Sequence, residues 1–530
     1  MSVAETLEEP LNPFRWWILV GLITAAVMEV LDTTIVNVSL PQIAGNLGAT
    51  TEEIGWISTG YILSNVIVLP LTAWLASRFG RKRYLSLSIL VFIGASVMCG
   101  TSRSLESLVL WRIVQGAGGA ALLSTAQATI REIFPKEQQG IVQSIYMLGI
   151  IVAPTIGPTV GGWITDNYSW HWVFLINLPI GIVSFFLVYS FLQDSKFAMK
   201  VHKVDWLGIG MLAVGLGCLQ YLLEEGNSKG WFDSPVIVTL SAISGVVLPL
   251  FVWWQLSPKN EVPVVSLKVL RNRDLSAALI LFIVLGFGLY GGVFIYPMFA
   301  QNVMHMTPTV TGLTLLPGGI MTGFAAVMSG RLLNGANPVF DPKISIVAGL
   351  GVYLTSISIL AAMPSNAGAD NVVIPLLLRG LGLGMLFVPI NLAAFSSLVG
   401  AEIAQGSGLL NLARQLGGSF GIAAIGSFVT HQLQSARVSL VENITSVNPL
   451  VTQRTELISH GLAMKGFSPE QAHQAAYAII DHNLMVEAAN KAYNSGFMLI
   501  LVVSIVASPA ILILRGKKGR ASAAALAEAH

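Results

Sequence analysis

Fourteen apolar segments, each near bilayer length and separated by polar breaks, follow one another along the chain. They run approximately over 16–38, 55–76, 84–101, 106–130, 140–163, 171–192, 205–223, 236–256, 276–300, 312–332, 343–363, 371–396, 405–430 and 496–514. An apolar run of roughly 20 residues spans a bilayer as a helix. The pattern therefore predicts an all-α polytopic membrane protein with 14 transmembrane helices, and an even count puts both tails on one side. The expected divisions are a tail at 1–15, a six-helix bundle at 16–192, two inserted helices with linkers at 193–275, a second six-helix bundle at 276–514 and a tail at 515–530. One break is long, 431–495, and its stretch SPEQAHQAAYAIIDHNLMVEAANKAY reads as amphipathic helix, with Ser468, Pro469 and Glu470 as a helix start. It is either a solvated excursion or a docking surface for an external partner.

Composition supports the membrane reading. Of 530 residues 54% are hydrophobic and 11% charged, with a mean hydropathy of +0.71, where soluble domains carry about 25% charged residues. Twenty of the 29 Lys and Arg fall on the side of the tails, and Arg112, Arg379 and Arg414 lie inside spans. By the positive-inside rule both tails are cytoplasmic. Cys99 and Cys218 fall in apolar runs and suggest neither a disulfide framework nor a metal site. With no nucleotide-binding loop, metal cluster or nucleophilic triad, the chain does not read as an enzyme.

The chemistry concentrates in the first apolar run, which carries Glu29 and Asp32. At i and i+3 they share a helix face. A carboxylate at membrane depth costs at least about 2.5 kcal/mol and marks a functional, partnered site. Two acids in a low-dielectric setting do not ionise independently, so this pair can handle protons. Asp32 could instead sit at the membrane rim. Arg112 is the obvious counter-charge, unless it bonds backbone carbonyls and only staples helices. The run Pro154, Gly157, Pro158, Gly161, Gly162 has small residues for close helix approach and prolines for a bend, which suits a pivot. Tyr290, Phe294 and Met298 can line an adaptable hydrophobic pocket, or simply pack. There is also an internal echo: Arg112 and Arg379 are each followed by a glycine-rich stretch, eight spans apart.

These residues resemble a known family. Leu31-Asp-Thr-Thr-Ile-Val-Asn-Val-Ser-Leu-Pro41, Leu110-Trp-Arg112-Ile-Val-Gln115-Gly116, Gly157-Pro158-x-x-Gly161-Gly162, the block from Trp170 to Gly181 and Asn411-Leu-Ala-Arg414-Gln-Leu-Gly417 are similar to the motifs of a fourteen-span major facilitator superfamily drug/proton antiporter of the EmrB multidrug-exporter type. The resemblance implies proton-coupled export of hydrophobic or amphipathic compounds across a bacterial inner membrane, driven by the proton gradient without a cofactor. It implies a periplasmic adaptor and an outer-membrane channel as partners, and no nucleic acid. Asp32, Glu29 and Arg112 would couple protons. Asn37, Gln115, Tyr290, Phe294, Met298, Asn391, Asn411 and Arg414 would meet substrate, and Arg78, Gly80 and Arg81 would join the glycine–proline run in conformational change. Two departures stand out. Ala73 and Ser77 replace the glycine and aspartate usual before Arg78, and the second copy, Gly330 to Asn334, also lacks the acid. A proton-coupled uptake symporter for a defined small molecule is the alternative, and a structural or sensory membrane protein a further one.

Overall fold

The structure, a computed structural model, describes residues 12–135, 137–194, 203–333, 341–442, 444 and 448–514, and these contain helices and no strand. Helices α1 (Arg15–Leu47), α2 (Thr51–Val68), α3 (Thr72–Phe79), α4 (Arg81–Gly100), α5 (Leu105–Ile133), α6 (Gln139–Asn167), α7 (His171–Leu175) and α8 (Asn177–Phe191) build the first half. Next come α9 (Trp206–Glu225) and α10 (Pro235–Leu256). The second half is α11 (Arg273–Asn302), α12 (Pro308–Leu332), α13 (Pro342–Ala361), α14 (Ala369–Phe395), α15 (Ala401–Val441), α16 (Pro449–Ala463), α17 (Pro469–Ala507) and α18 (Ala510–Ile513). Twelve helical stretches are long and apolar enough to cross a membrane, or 13 if the bent α6 is one span. The remaining expected segment, 405–430, lies in α15, which is long but more polar. Most of the two tails, Lys196 and Lys200, Lys136 and Asn334 lie outside the described residues.

The two halves repeat one packing scheme. α1 pairs with α6 and α8, α2 and α4 with α5, and α4 with α8; correspondingly α11 pairs with α15 and α17, α12 and α13 with α14, and α13 with α17. The echo of Arg112 in Arg379 therefore falls on equivalent helices, α5 and α14. Both ends of the described chain lie at one end of the bundle, called here the tail end. There Trp16 sits edge-on to Phe134 at the close of α5, Arg131 of α5 donates to the Asn391 carbonyl of α14 at 3.3 Å, and Ile511 joins Ile346 and Ile390 around a small apolar cavity.

Of the inserted pair, α9 lies against both halves and α10 lies outside it. α9 packs on α10, on α2 and on α15. Gln220 of α9 donates to Ser419 Oγ at 2.9 Å, and Trp56 of α2 meets Tyr221 of α9 with ring centres 5.5 Å apart. On the opposite seam α6 and α12 touch directly, with Gly312 opening contact to Thr159 and Gly323 to Leu148.

The expected loop at 431–495 is a helical extension. α15 runs on to Val441, α16 folds back on α17, and α17 continues without a break into the last span. Ser468 and Gln471 form a capping box that starts α17. Ala472, Ala476, Leu484 and Ala488 of α17 are buried within the chain itself, so these apolar positions of the segment already have partners.

Candidate functional site

Asp32 lies within α1, fully buried, and three side chains from two other helices converge on it. Arg112 of α5 forms an ion pair with Oδ2 at 2.5 Å. Gln115, one turn further along α5, donates to Oδ1 at 2.9 Å, and Asn177 of α8 donates to the same oxygen at 2.7 Å. Ser96 of α4 ties the ring together by accepting from Gln115 at 2.7 Å and from Asn177 at 3.3 Å. Arg112 spends its other donors within the same half. Its Nε bonds the Ile57 carbonyl at 3.0 Å, its Nη1 also reaches Gln115 Oε1 at 2.8 Å, and its guanidinium lies 4.3 Å from the centre of the Tyr61 ring. Arg112 thus pairs with an acid and also bonds α2 through a carbonyl.

Glu29 does not join this pair. It is 5% exposed and accepts from Asn65 Nδ2 at 3.2 Å, while its other oxygen, Oε2, has no partner. One turn of α1 is enough to send the two acids to different neighbours. Asp32 points into the first half, whereas Glu29 interacts through space with Arg414 of the second half. Arg414 has only long hydrogen bonds, to Tyr290 Oη at 3.3 Å and Asn411 Oδ1 at 3.4 Å.

The remaining candidates separate into groups. Gln115 belongs to the Asp32 ring and does not face Tyr290 or Phe294. Asn391 and Asn411 are buried where the halves meet near the tail end. Gln127 of α5 bonds Asn391 and accepts from Asn411 at 3.2 Å, while Ser407 donates to the Ser124 carbonyl at 2.7 Å. Tyr290 and Phe294 lie half-buried on one face of α11, and Met298 is 39% exposed. Asn37 is exposed and accepts from Ser58 at 2.8 Å.

In the glycine–proline run, Gly157 abuts Thr34 and Gly161 abuts Ile35, so α6 lies tightly on α1 just beyond Asp32. α6 bends by 44° between Pro154 and Ile156. Pro158 explains the bend, because it lacks the N–H that would bond the Pro154 carbonyl and its ring crowds that carbonyl. At the tail end Gly80 takes φ +85°, a left-handed turn suited to glycine. Arg81 pairs with Glu132, and the Asp194 carboxylate accepts from the Lys82 amide at 2.9 Å. An acid from the end of α8 thus sits at the start of α4, near the turn where the family pattern has an aspartate and this chain has Ser77.

Sequence reasoning singled out none of Asn65, Ser96, Gln127, Asn177 and Ser407 as site residues. Their signal was available, since polar side chains inside apolar runs are costly and seldom idle.

The comparisons agree with this architecture. The family model described as "Major Facilitator Superfamily" matches residues 22–422. The multidrug export protein EmrB of Haemophilus influenzae is 32% identical over 496 residues, covering 92% of this chain and 95% of that protein. The fatty acid resistance protein FarB of Neisseria gonorrhoeae is 30% identical over 488 residues, covering 92% and 94%. In fold, the human organic anion transporter MFSD10 superposes with a TM-score of 0.56 at 12% identity, over 93% of this chain and 99% of that one. Twin bundles with matching helix pairings, a buried charge in the first and relatives aligned nearly end to end lead to one assignment: this chain is a transporter that belongs to the major facilitator superfamily, in its EmrB-type branch.

Proposed function

We propose that the protein is a proton-coupled antiporter that exports hydrophobic or amphipathic drugs across a bacterial inner membrane, with both tails cytoplasmic and the proton gradient as its energy source. The observation that carries the reading is the Asp32–Arg112 pair, wholly buried and completed by Gln115 and Asn177. Protonating Asp32 would remove the attraction that holds Arg112 and free the Ile57 and Gln115 contacts to rearrange. Relatives named for multidrug export, fatty acid resistance and colistin resistance support the substrate class. Arg414, which bonds Tyr290 and Asn411, would form with them and Phe294 the candidate substrate wall of the second half. The extension of α15, α16 and α17 exposes Leu450, Leu457 and Met464. With that surface it would contact a periplasmic adaptor that passes substrate to an outer-membrane channel. The test is transport in proteoliposomes with an imposed pH gradient and a panel of amphiphiles. Proton flux opposite to substrate flux, lost in Asp32→Asn, is the expected outcome. Co-directional flux would instead mean uptake symport.

A further inference from the structure

Arg379 occupies in α14 the position that Arg112 occupies in α5, but no carboxylate comes with it. The acids of α11, α13 and α14 all lie at helix starts, namely Asp274, Asp341 and Asp370. Asp370 is nine residues before Arg379 on the same helix, roughly 13 Å along its axis. Arg379 is 6% exposed. Its Nη2 donates to the Leu289 carbonyl at 3.1 Å, and its buried Nε has no acceptor. Beside it the phenol of Tyr353, from α13, is also buried and without a partner. The ionisable groups that interact with Arg379 are two tyrosines, Tyr353 and Tyr296, and the Tyr296 hydroxyl is already bonded to Thr314 at 2.6 Å.

Both unsatisfied donors lie against the same face of α11. Gly288 and Gly292 stand one turn apart on one face of α11. A side chain at Gly292 would meet the Arg379 guanidinium, and one at Gly288 would meet the Tyr353 hydroxyl. The glycines let the guanidinium and the phenol lie directly against α11 one turn apart, a full positive charge and an O–H with a single carbonyl acceptor between them. A buried cation of this kind requires a counter-charge. A water could accept from both donors but would bring no charge.

We infer that Arg379 and Tyr353 form an anion site, which takes a compact monoanion in the place that the Asp32 carboxylate holds opposite Arg112. The acceptor is either a free halide or the carboxylate end of an amphiphile, since both offer a single negative charge to convergent donors. Arg379 supplies the charge, Tyr353 fixes the position, and the burial of both sets the size limit. A bulky anion would not enter. The site does not depend on the direction or the coupling of transport.

The experiment is a thermal melt of the purified full-length protein in detergent. Bromide and, separately, acetate are titrated in while a bulky sulfonate buffer anion holds the ionic strength constant. Wild type is expected to show a saturable rise in melting temperature with at least one of the two. Tyr353→Phe should need several-fold more anion for the same rise, and Arg379→Gln should show none. A response to both anions identifies a free-ion site, and a response to acetate alone identifies a carboxylate headgroup. No saturable response in wild type, or an equal response in Arg379→Gln, overturns the site. Should Arg379→Gln not fold, Tyr353→Phe decides, because an unchanged midpoint in that variant overturns it as well. Either failure leaves the transport reading untouched, since the melt does not measure transport.

Discussion

Asp32 accepts two hydrogen bonds on one oxygen and an ion pair on the other, all from buried donors. Removing its charge leaves Arg112 buried without an acid, a loss of about 3–5 kcal/mol for a broken buried pair. Asp32→Asn should therefore melt well below wild type. Adding Arg112→Gln should recover most of that stability, because two neutral polar groups replace an orphaned charge. If the double variant melts no higher than Asp32→Asn, the pair is not the source of the loss. Arg112→Lys keeps the charge but not the fork that reaches Ile57, Gln115 and Asp32 together, so its activity should fall between wild type and Arg112→Gln in the vesicle assay. Glu29 makes a different prediction. With one oxygen unpartnered and Arg414 across the seam, Glu29→Gln should leave the melt almost unchanged while altering transport. A drop in melting temperature as large as that of Asp32→Asn would contradict this.

Among the elements, α9 is held by the residue that caps its start. The Asp205 carboxylate caps α9 through the Gly208 amide at 2.8 Å, and accepts from Trp254, Gln255 and Asn260 at 2.7–2.9 Å. Burial pushes its pKa up, but these four bonds outweigh that and hold it below the usual aspartate range. A depressed carboxyl contributes stability that is present above its unfolded pKa, about 3.9, and is lost as pH falls through the folded value. The α9–α10 contact should thus be independent of pH between about 5 and 8 and weaken only in strong acid. Asp205→Ala should cost about 0.5–2 kcal/mol as a lost cap, read as a lower melting temperature at pH 7. Although 12 or 13 of the fourteen segments are apolar enough as helices to cross a membrane, the helical character of the segments was legible, because a bilayer demands a run of apolar residues that single-sequence hydropathy detects. The run of α15 to Val441 was not, since beyond the membrane its residues His431, Gln432, Gln434 and Arg437 look like any polar connection. The acids and Arg112 were equally plain. Which of Ser96, Asn177 or Asn65 would meet which acid was not, because that follows from helix rotation and tilt, and no spacing along one helix records it.

For the whole molecule, the halves are joined at the tail end by Gln127, Arg131, Asn391, Ser407 and Asn411, and along one seam by α6 and α12. A short bifunctional crosslink between Gln127→Cys and Asn411→Cys, with Cys99 and Cys218 replaced, should hold that end shut and stop transport. Undiminished transport in the crosslinked protein would mean that these contacts need not open. A last consequence belongs to α15. Its 41 residues amount to about 60 Å of continuous helix, against a hydrocarbon core of about 30 Å. Some 30 Å of rigid rod therefore projects past the bilayer, rooted in the half that would rock. A tilt of about 10° at the root displaces the tip by about 5 Å, simply as a lever of that length. The extension is an outboard pointer, so a motion buried in the membrane arrives enlarged at a surface where another molecule could feel it.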